Sequence, residues 1–159
     1  SLGCLRGPEY RATGTFDLLH MGHIFFLKKA KELGDTLIVV VARDTTVRHL
    51  KHEPVTNEDI RLGLIKELRI VDDAYLGSEN DMYEIVDKIQ PDILAIGFDQ
   101  VHDEEKLQQE LKKRGHNTIK IHRLSKYEGG GDLNGTRRII QKNTSAYTLQ
   151  KEMERIEGK

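Results

Sequence analysis

The chain carries a single cysteine, no tryptophan and only three prolines in 159 residues. Cys4 has no second cysteine to pair with, so an internal disulfide is excluded. That suits a reducing compartment, and the cytoplasm is the expected location. No apolar run approaches the ~18–20 residues that cross a bilayer, and no charged segment leads into an apolar one as in a secretory signal. Neither sign of charge dominates: 25 Lys+Arg stand against 26 Asp+Glu, which offers no basic surface for nucleic acid or an anionic membrane. Several chemical signatures are missing too. There is no G-x-x-x-x-G-K-[ST] phosphate loop, no G-x-G-x-x-G dinucleotide fingerprint, no Cys/His metal spacing, and no serine on a strand-to-helix elbow. Repeats and coiled-coil heptads are absent as well.

What the chain does have is concentrated between Ala12 and His23, in A-T-G-T-F-D-L-L-H-M-G-H. His20 and His23 lie three apart with Gly22 between them, and a turn at Gly14-Thr15 lies just upstream. The stretch reads as the end of a strand, a tight loop and the start of a helix. Backbone N–H groups at such a start point outward and favour anions. Two imidazoles beside them can donate hydrogen bonds to phosphate oxygens. A metal is the weaker expectation, because no cysteine or third histidine lies close in sequence.

Residues 1–9 are expected to be a leader, native or foreign. Arg6, Pro8, Glu9 and Arg11 interrupt any buried run, leaving only a short strand near Tyr10–Thr13. A helix is predicted over 21–33, with Ile24, Leu27, Ala30 and Leu33 inward and Gly34 as its stop. The apolar run 36–42 predicts a central strand buried on both faces. Asp44 or Thr45 opens a short helix to about Leu50. Thr56 or Asn57 caps the next helix, with Ile60, Leu64 and Leu68 as its inward stripe. Arg61 on that helix either faces the site or makes surface ion pairs worth under about 1 kcal/mol. Further on, the pattern predicts strand 74–76, helix 81–89 ending before Pro91, and strand 92–96 ending at Gly97-Phe98-Asp99-Gln100. Helix 103–114, strand 118–121 and a last helix opened by Asn134-Gly135-Thr136 follow, with 144–159 as a C-terminal helix or tail.

This alternation implies a single α/β domain over 10–143, a Rossmann-like, doubly wound parallel sheet with right-handed crossovers. Such sheets bind ligands at the carboxyl ends of their strands, near the point where strand order reverses. Three polar clusters, 14–23, 97–100 and 125–136, follow predicted strands directly. Phosphate-directed histidines suit nucleotidyl transfer, in which an acceptor phosphate attacks the α-phosphorus of a nucleoside triphosphate and pyrophosphate leaves. There the protein supplies positioning and charge neutralisation.

T-G-T-F-D-L-L-H-M-G-H resembles the signature of the cytidylyltransferase-like nucleotidyltransferases, whose H-x-G-H motif binds the triphosphate. A second motif of that family, near the C-terminus, survives here only as Leu133-Asn134-Gly135-Thr136-Arg137-Arg138-Ile139, with one hydroxyl at Thr136; either Arg137 or Arg138 faces the phosphates. V-A-R-D-T-T-V, V-D-D-A-Y-L-G-S, P-D-I-L-A-I-G-F-D-Q and R-L-S-K-Y are similar to the archaeal FAD synthase branch, the FMN adenylyltransferases. The neighbouring glycerol-3-phosphate cytidylyltransferases usually carry tryptophan where this chain has Met21, and R-T-x-G-I-S-T-T where it has Ser125-Lys126-Tyr127-Glu128-Gly129.

The resemblance implies ATP and FMN as substrates, a divalent ion such as Mg²⁺ bridging the phosphates, and a homodimer. It implies backbone contacts from Thr15 and Phe16 to nucleotide, and phosphate binding by His20, Met21, Gly22 and His23. Asp99 with Gln100 would contact the nucleotide, Tyr127 would border the base, and Thr136 would cap the phosphates from its helix. Lys51 is the expected loop lysine reaching the triphosphate, and His20, His23 and Lys51 form the expected catalytic set. Asp17 either holds the loop or stands near phosphate or metal. Two alternatives remain: a cytidylyltransferase acting on glycerol 3-phosphate or a similar phosphorylated polyol, and a non-catalytic nucleotide- or flavin-binding protein.

Overall fold

Five short strands pair side by side in the computed structural model, which describes residues 9–50, 53–81, 83–97, 103–125 and 136–158. They are β1 (Glu9–Gly14), β2 (Thr36–Val41), β3 (Asp73–Leu76), β4 (Ile93–Ile96) and β5 (Lys120–Arg123). The sheet order is β3-β2-β1-β4-β5, and every pairing is parallel. Charged residues do not keep β1 out of the sheet. Its backbone pairs on both sides, from Glu9 opposite Thr36 to Gly14 opposite Val41, and from Tyr10 opposite Ile93 to Ala12 opposite Ala95. The chain runs outward from β1 to β2 and β3, then returns past β1 to β4 and β5. Connections therefore diverge above the β1–β4 boundary and leave a crevice at the carboxyl ends there.

The described helices are α1 (Met21–Glu32), α2 (Asp44–Leu50), α3 (Glu58–Lys66), α4 (Glu84–Ile89), α5 (Glu104–Lys113) and α6 (Thr136–Ile156), and buried residues of α1, α3, α4 and α5 pack with the strands. Alternation within single strands splits the core. Leu37, Val39 and Val41 of β2 and Ala95 of β4 join Leu27, Ala30 and Ile65 in one cluster. Leu94 and Ile96 of β4 point the other way, into a cluster with Val86, Leu107, Leu111 and Ile119. Residues 37–41 are all buried, as a near-continuous apolar run in a two-sided parallel strand requires. No helix among the described residues is long and apolar enough to cross a membrane.

Three expected elements shift. On α3 the inward stripe is not Ile60 and Leu64, which are 49% and 46% exposed, but Arg61 and Ile65; only Leu68 of the expected three packs against the core. The helix is capped by Asn57, whose side chain accepts from the Ile60 N–H, and its azimuth is fixed by an arginine that the core takes in. The fifth strand begins at Lys120 rather than residue 118, because only Lys120–Arg123 find partners on β4 (Ile93–Ile96), while Ile119 packs into the core ahead of the strand. The helix predicted from 81 begins at Glu84. Asp81 instead makes a turn, its carboxylate accepting from the Tyr83 N–H (2.9 Å) and its carbonyl from the Glu84 N–H (3.2 Å). At the C-terminal end, α6 is one continuous helix across residue 144.

The one-residue rotation of α3 has a measurable consequence. Ile65→Ala leaves a cavity in the first cluster and lowers unfolding free energy by about 2–5 kcal/mol. Leu64→Gln on the exposed face changes it by no more than about 0.5 kcal/mol. Urea denaturation of the two variants checks this.

Candidate active site

The site begins where β1 runs out. Gly14 is followed by a loop in which two non-glycine residues adopt left-handed backbone conformations, Phe16 at φ 54° and Leu18 at φ 47°. Each such residue costs on the order of 1–3 kcal/mol, so the surroundings must hold it. Phe16 is 3% exposed, with its ring 5.4 Å from the His23 ring centroid and 6.3 Å from that of Phe26. The same ring lies against Gly14, where an added Cβ would stand 2.8 Å from two of its ring carbons. Glycine is needed at 14 for this close approach.

Two buried charged side chains tie the loop down. Asp17, 3% exposed, accepts from the Val55 N–H (2.8 Å), the Thr56 N–H (3.0 Å) and the Thr56 hydroxyl (2.8 Å). Burial raises its pKa, but these hydrogen bonds and the nearby Arg61 charge outweigh that, and the net shift is downward. These bonds are the ones that the loop-holding role expected for Asp17 requires. Arg61 is 0% exposed. Its Nη1 donates to the carbonyls of Thr15 (2.9 Å) and Ala42 (2.6 Å), and its Nε to the carbonyl of Thr56 (3.1 Å). Its Nη2 pairs with Asp44 Oδ1 at 2.6 Å. One guanidinium thus joins the end of β1, the end of β2, the start of α2 and the loop before α3. The expectation of a surface ion pair for Arg61 is corrected. Its side chain is interior because four oxygens, from Thr15, Ala42, Asp44 and Thr56, converge on it.

The two histidines close the loop onto α1. His20 is the N-cap, with its Nδ1 accepting from the Gly22 N–H (3.0 Å). His23 Nδ1 accepts in return from the His20 N–H (3.4 Å), a reciprocal cap made of two imidazoles. The rings stack with centroids 3.8 Å apart. A nitrogen that accepts carries no proton, so in the neutral ring the proton sits on Nε2. That leaves each Nε2–H a donor on the side away from the cap. Burial lowers the His20 pKa, which favours this neutral form.

The structure therefore brings together Thr15, Phe16, Asp17, His20, Met21, Gly22 and His23, with Met21 exposed at the first turn of α1. Lys51, Asp99, Gln100 and Tyr127 lie outside the described residues, as does the side chain of Thr136, the first residue of α6. Across the crevice, Arg123 donates from Nη1 to the Gly97 carbonyl (3.0 Å) and from Nε to Glu104 (2.7 Å), fixing the exit of β4. Sequence reasoning named Arg61 but missed its burial and its role as a clamp on the loop. The available signal was the alternative stripe Arg61, Ile65, Leu68, spaced at helical intervals. Among the described residues no group of three or more His, Cys, Asp or Glu side chains could hold a metal ion.

Comparison with known proteins adds independent information. A family model described as Cytidylyltransferase-like matches residues 12–156. An FAD synthase of Aciduliprofundum boonei is 53% identical over 131 residues, covering 82% of this chain and 87% of that protein. An FAD synthase of Methanothermus fervidus is 53% identical over 134 residues, covering 82% and 91% respectively. A crystal structure of a Thermoplasma volcanium protein, described as a lipopolysaccharide core biosynthesis protein, is 50% identical with a TM-score of 0.75, covering 77% of this chain and 99% of that one.

Two outcomes test the geometry. Arg61→Met strands three carbonyls and the Asp44 carboxylate, and lowers unfolding free energy by about 3–5 kcal/mol. Arg61→Lys does not restore it, because an ammonium lacks the planar fork. In an NMR titration, the His20 ring shows its midpoint below the ordinary value of about 6.5 and reports the Nε2–H tautomer. With that sign, the folded chain binds fewer protons than the unfolded one. The His20 contribution is complete above about pH 6.5 and is lost as pH falls through the folded midpoint.

Proposed function

The chain belongs to the cytidylyltransferase-like family, and from that membership we propose that it is an FMN adenylyltransferase, transferring AMP from ATP to FMN to give FAD and pyrophosphate. The observation that carries this reading is its identity of about half to FAD synthases over 82% of this chain, with the H-x-G-H loop intact. An oxygen of the FMN phosphate attacks the α-phosphorus. The bond from that phosphorus to its bridging oxygen breaks, and the electron pair leaves with pyrophosphate.

His20 and His23 perform the charge stabilisation. Their Nε2–H groups donate to phosphate oxygens as negative charge builds, beside the outward N–H groups of α1. Because both Nδ1 atoms are occupied, neither ring has to rotate or change tautomer when the substrate arrives. Preorganised donors of this kind act with no reorganisation cost at the moment of reaction. Asp17 and Arg61 hold the loop that carries them. Lys51 neutralises the leaving phosphates, Asp99 and Gln100 contact the nucleotide, Tyr127 borders the base, and Thr136 opens α6 toward the triphosphate. The divalent ion, Mg²⁺ or similar, would arrive on the triphosphate as part of the substrate. The working form is a homodimer in the cytoplasm. Cytidylyl transfer to a polyol phosphate is not favoured. Met21 stands where those enzymes usually carry tryptophan, and the relatives named above are FAD synthases.

The test is a paired turnover assay with Mg²⁺ and either ATP plus FMN or CTP plus glycerol 3-phosphate. FAD and pyrophosphate are expected in the first mixture alone. His20→Ala and His23→Ala each lower kcat about 10²–10³-fold, the usual cost of one transition-state donor. A CDP-linked product would overturn the substrate assignment, and full turnover in both variants would overturn the role of the histidines.

A further inference from the structure

The phosphate loop sits at the carboxyl end of β1, and the strand order leaves two flanks beside it: β4 and β5 on one side, β2 and β3 on the other. In-line transfer places the attacking phosphate and the leaving pyrophosphate on opposite sides of the α-phosphorus. The residues assigned to the nucleotide, Asp99, Gln100 and Tyr127, follow β4 and β5 in the chain. The flank left for the body of the acceptor is β2–β3. The structure has an open cleft of about 450 Å³ there, at the carboxyl end of β3, walled by Arg43, Leu76, Asn80, Ile85 and Lys88.

We infer that this cleft receives the isoalloxazine–ribityl body of the acceptor, and that it selects a flavin mononucleotide over a small phosphorylated polyol. The inference rests on the FMN adenylyltransferase reading above. Three observations carry it. First, the cleft is held in shape by its own bonds. The Gly77 N–H continues the ladder to the Val41 carbonyl (2.9 Å), and Arg43 Nε donates to the Gly77 carbonyl (2.6 Å). The Ser78 hydroxyl donates to Glu84 (2.7 Å). Second, its charge is balanced. Arg43 pairs with Glu58 (3.4 Å) and with Glu79 (3.8 Å), and Glu84 is engaged by Ser78. A lining with two cations and two carboxylates suits an uncharged polar ring better than a free anion. Leu76 and Ile85, both half-buried, offer apolar contact to a flat ring face. The exposed Asn80 amide can both donate and accept at the polar pyrimidine edge, and Lys88 can donate there. Third, the cleft is tied to the chemistry. Arg43 follows Ala42, whose carbonyl shares Arg61 Nη1 with the carbonyl of Thr15 in the phosphate loop. A polyol phosphate has no body to fill a cleft in the roughly 300–1,000 Å³ range that ring-sized ligands use.

The experiment compares wild type, Ile85→Trp and Lys88→Ala by steady-state kinetics, varying FMN at saturating ATP and then ATP at saturating FMN. Riboflavin, which has the flavin body without the phosphate, is tested as an inhibitor. The expected result is a KM for FMN raised about tenfold or more in Ile85→Trp and severalfold in Lys88→Ala, with KM for ATP within about twofold of wild type. That unchanged KM for ATP also reports an intact fold. Riboflavin competes with FMN in wild type and loses that competition in Ile85→Trp. If wild type makes FAD and both variants keep its KM for FMN, or if KM for ATP rises instead, the cleft assignment is overturned and the function stands. If wild type makes no FAD, the functional reading is overturned and this one with it.

Discussion

A single fully buried guanidinium sets the geometry on which this site depends. Bringing an arginine out of water costs several kcal/mol, and the cost is recovered only where its donors all meet acceptors in good geometry. Arg61 meets three backbone carbonyls and one carboxylate, at 2.6–3.1 Å, from three stretches of the chain: Thr15, Ala42 with Asp44, and Thr56. Any displacement of one stretch strands an acceptor in the interior, so the three move together or not at all. The rotation of α3 follows from the same contacts. Turning the helix to bury Ile60 and Leu64 would withdraw the guanidinium from the tips of β1 and β2 and leave Thr15 and Ala42 unsatisfied.

The strained loop can exist because of that clamp. Left-handed backbone at Phe16 and Leu18 is unfavourable in isolation, and it persists where neighbouring contacts over-determine it. Those contacts are the Thr15 carbonyl on Arg61, the Asp17 carboxylate on Val55 and Thr56, and the Phe16 ring wedged between Gly14 and His23. The loop in turn delivers His20 to the first turn of α1 with its ring stacked on His23. Two charged imidazoles at that separation would repel, and burial already disfavours charge on His20. His20 is therefore biased toward the neutral ring, whose Nε2–H is the donor left once Nδ1 accepts from Gly22. The sequence of causes runs from a buried salt bridge, through a strained turn, to a fixed tautomer.

The parts of this arrangement that depend on local chemistry were legible in the sequence. The spacing of Gly14, His20, Gly22 and His23 specifies a tight turn and a helix start whatever lies around them. The apolar run from Leu37 to Val41 can only be a strand buried on two faces. The parts that depend on distant partners were not legible. Arg61 looks like a surface residue because its acceptors are carbonyls contributed by residues 15, 42 and 56, and carbonyls leave no mark in a sequence. Ile60 and Leu64 then outvote it in any hydrophobic count. The last strand was displaced for a related reason. Lys120–Arg123, Lys-Ile-His-Arg, alternates exposed and half-buried residues at the sheet edge, and its register is decided by β4 rather than by its own composition.

The distribution of acidic residues at helix starts adds a final constraint. A carboxylate in the first turn satisfies the positive end of the helix dipole from within the chain. α2 carries Asp44 there, α3 Glu58 and Asp59, α4 Glu84 and Asp87, and α5 Glu104 and Glu105. Only α1 and α6, among the helices described, have none. These are the helices opened by the H-x-G-H loop and by Thr136, the two stretches that the family pattern assigns to the triphosphate. A carboxylate at either start would compete with phosphate for the same N–H groups and repel it. The chain therefore neutralises four helix starts internally, and the two without a carboxylate are those that the proposed function gives to the triphosphate.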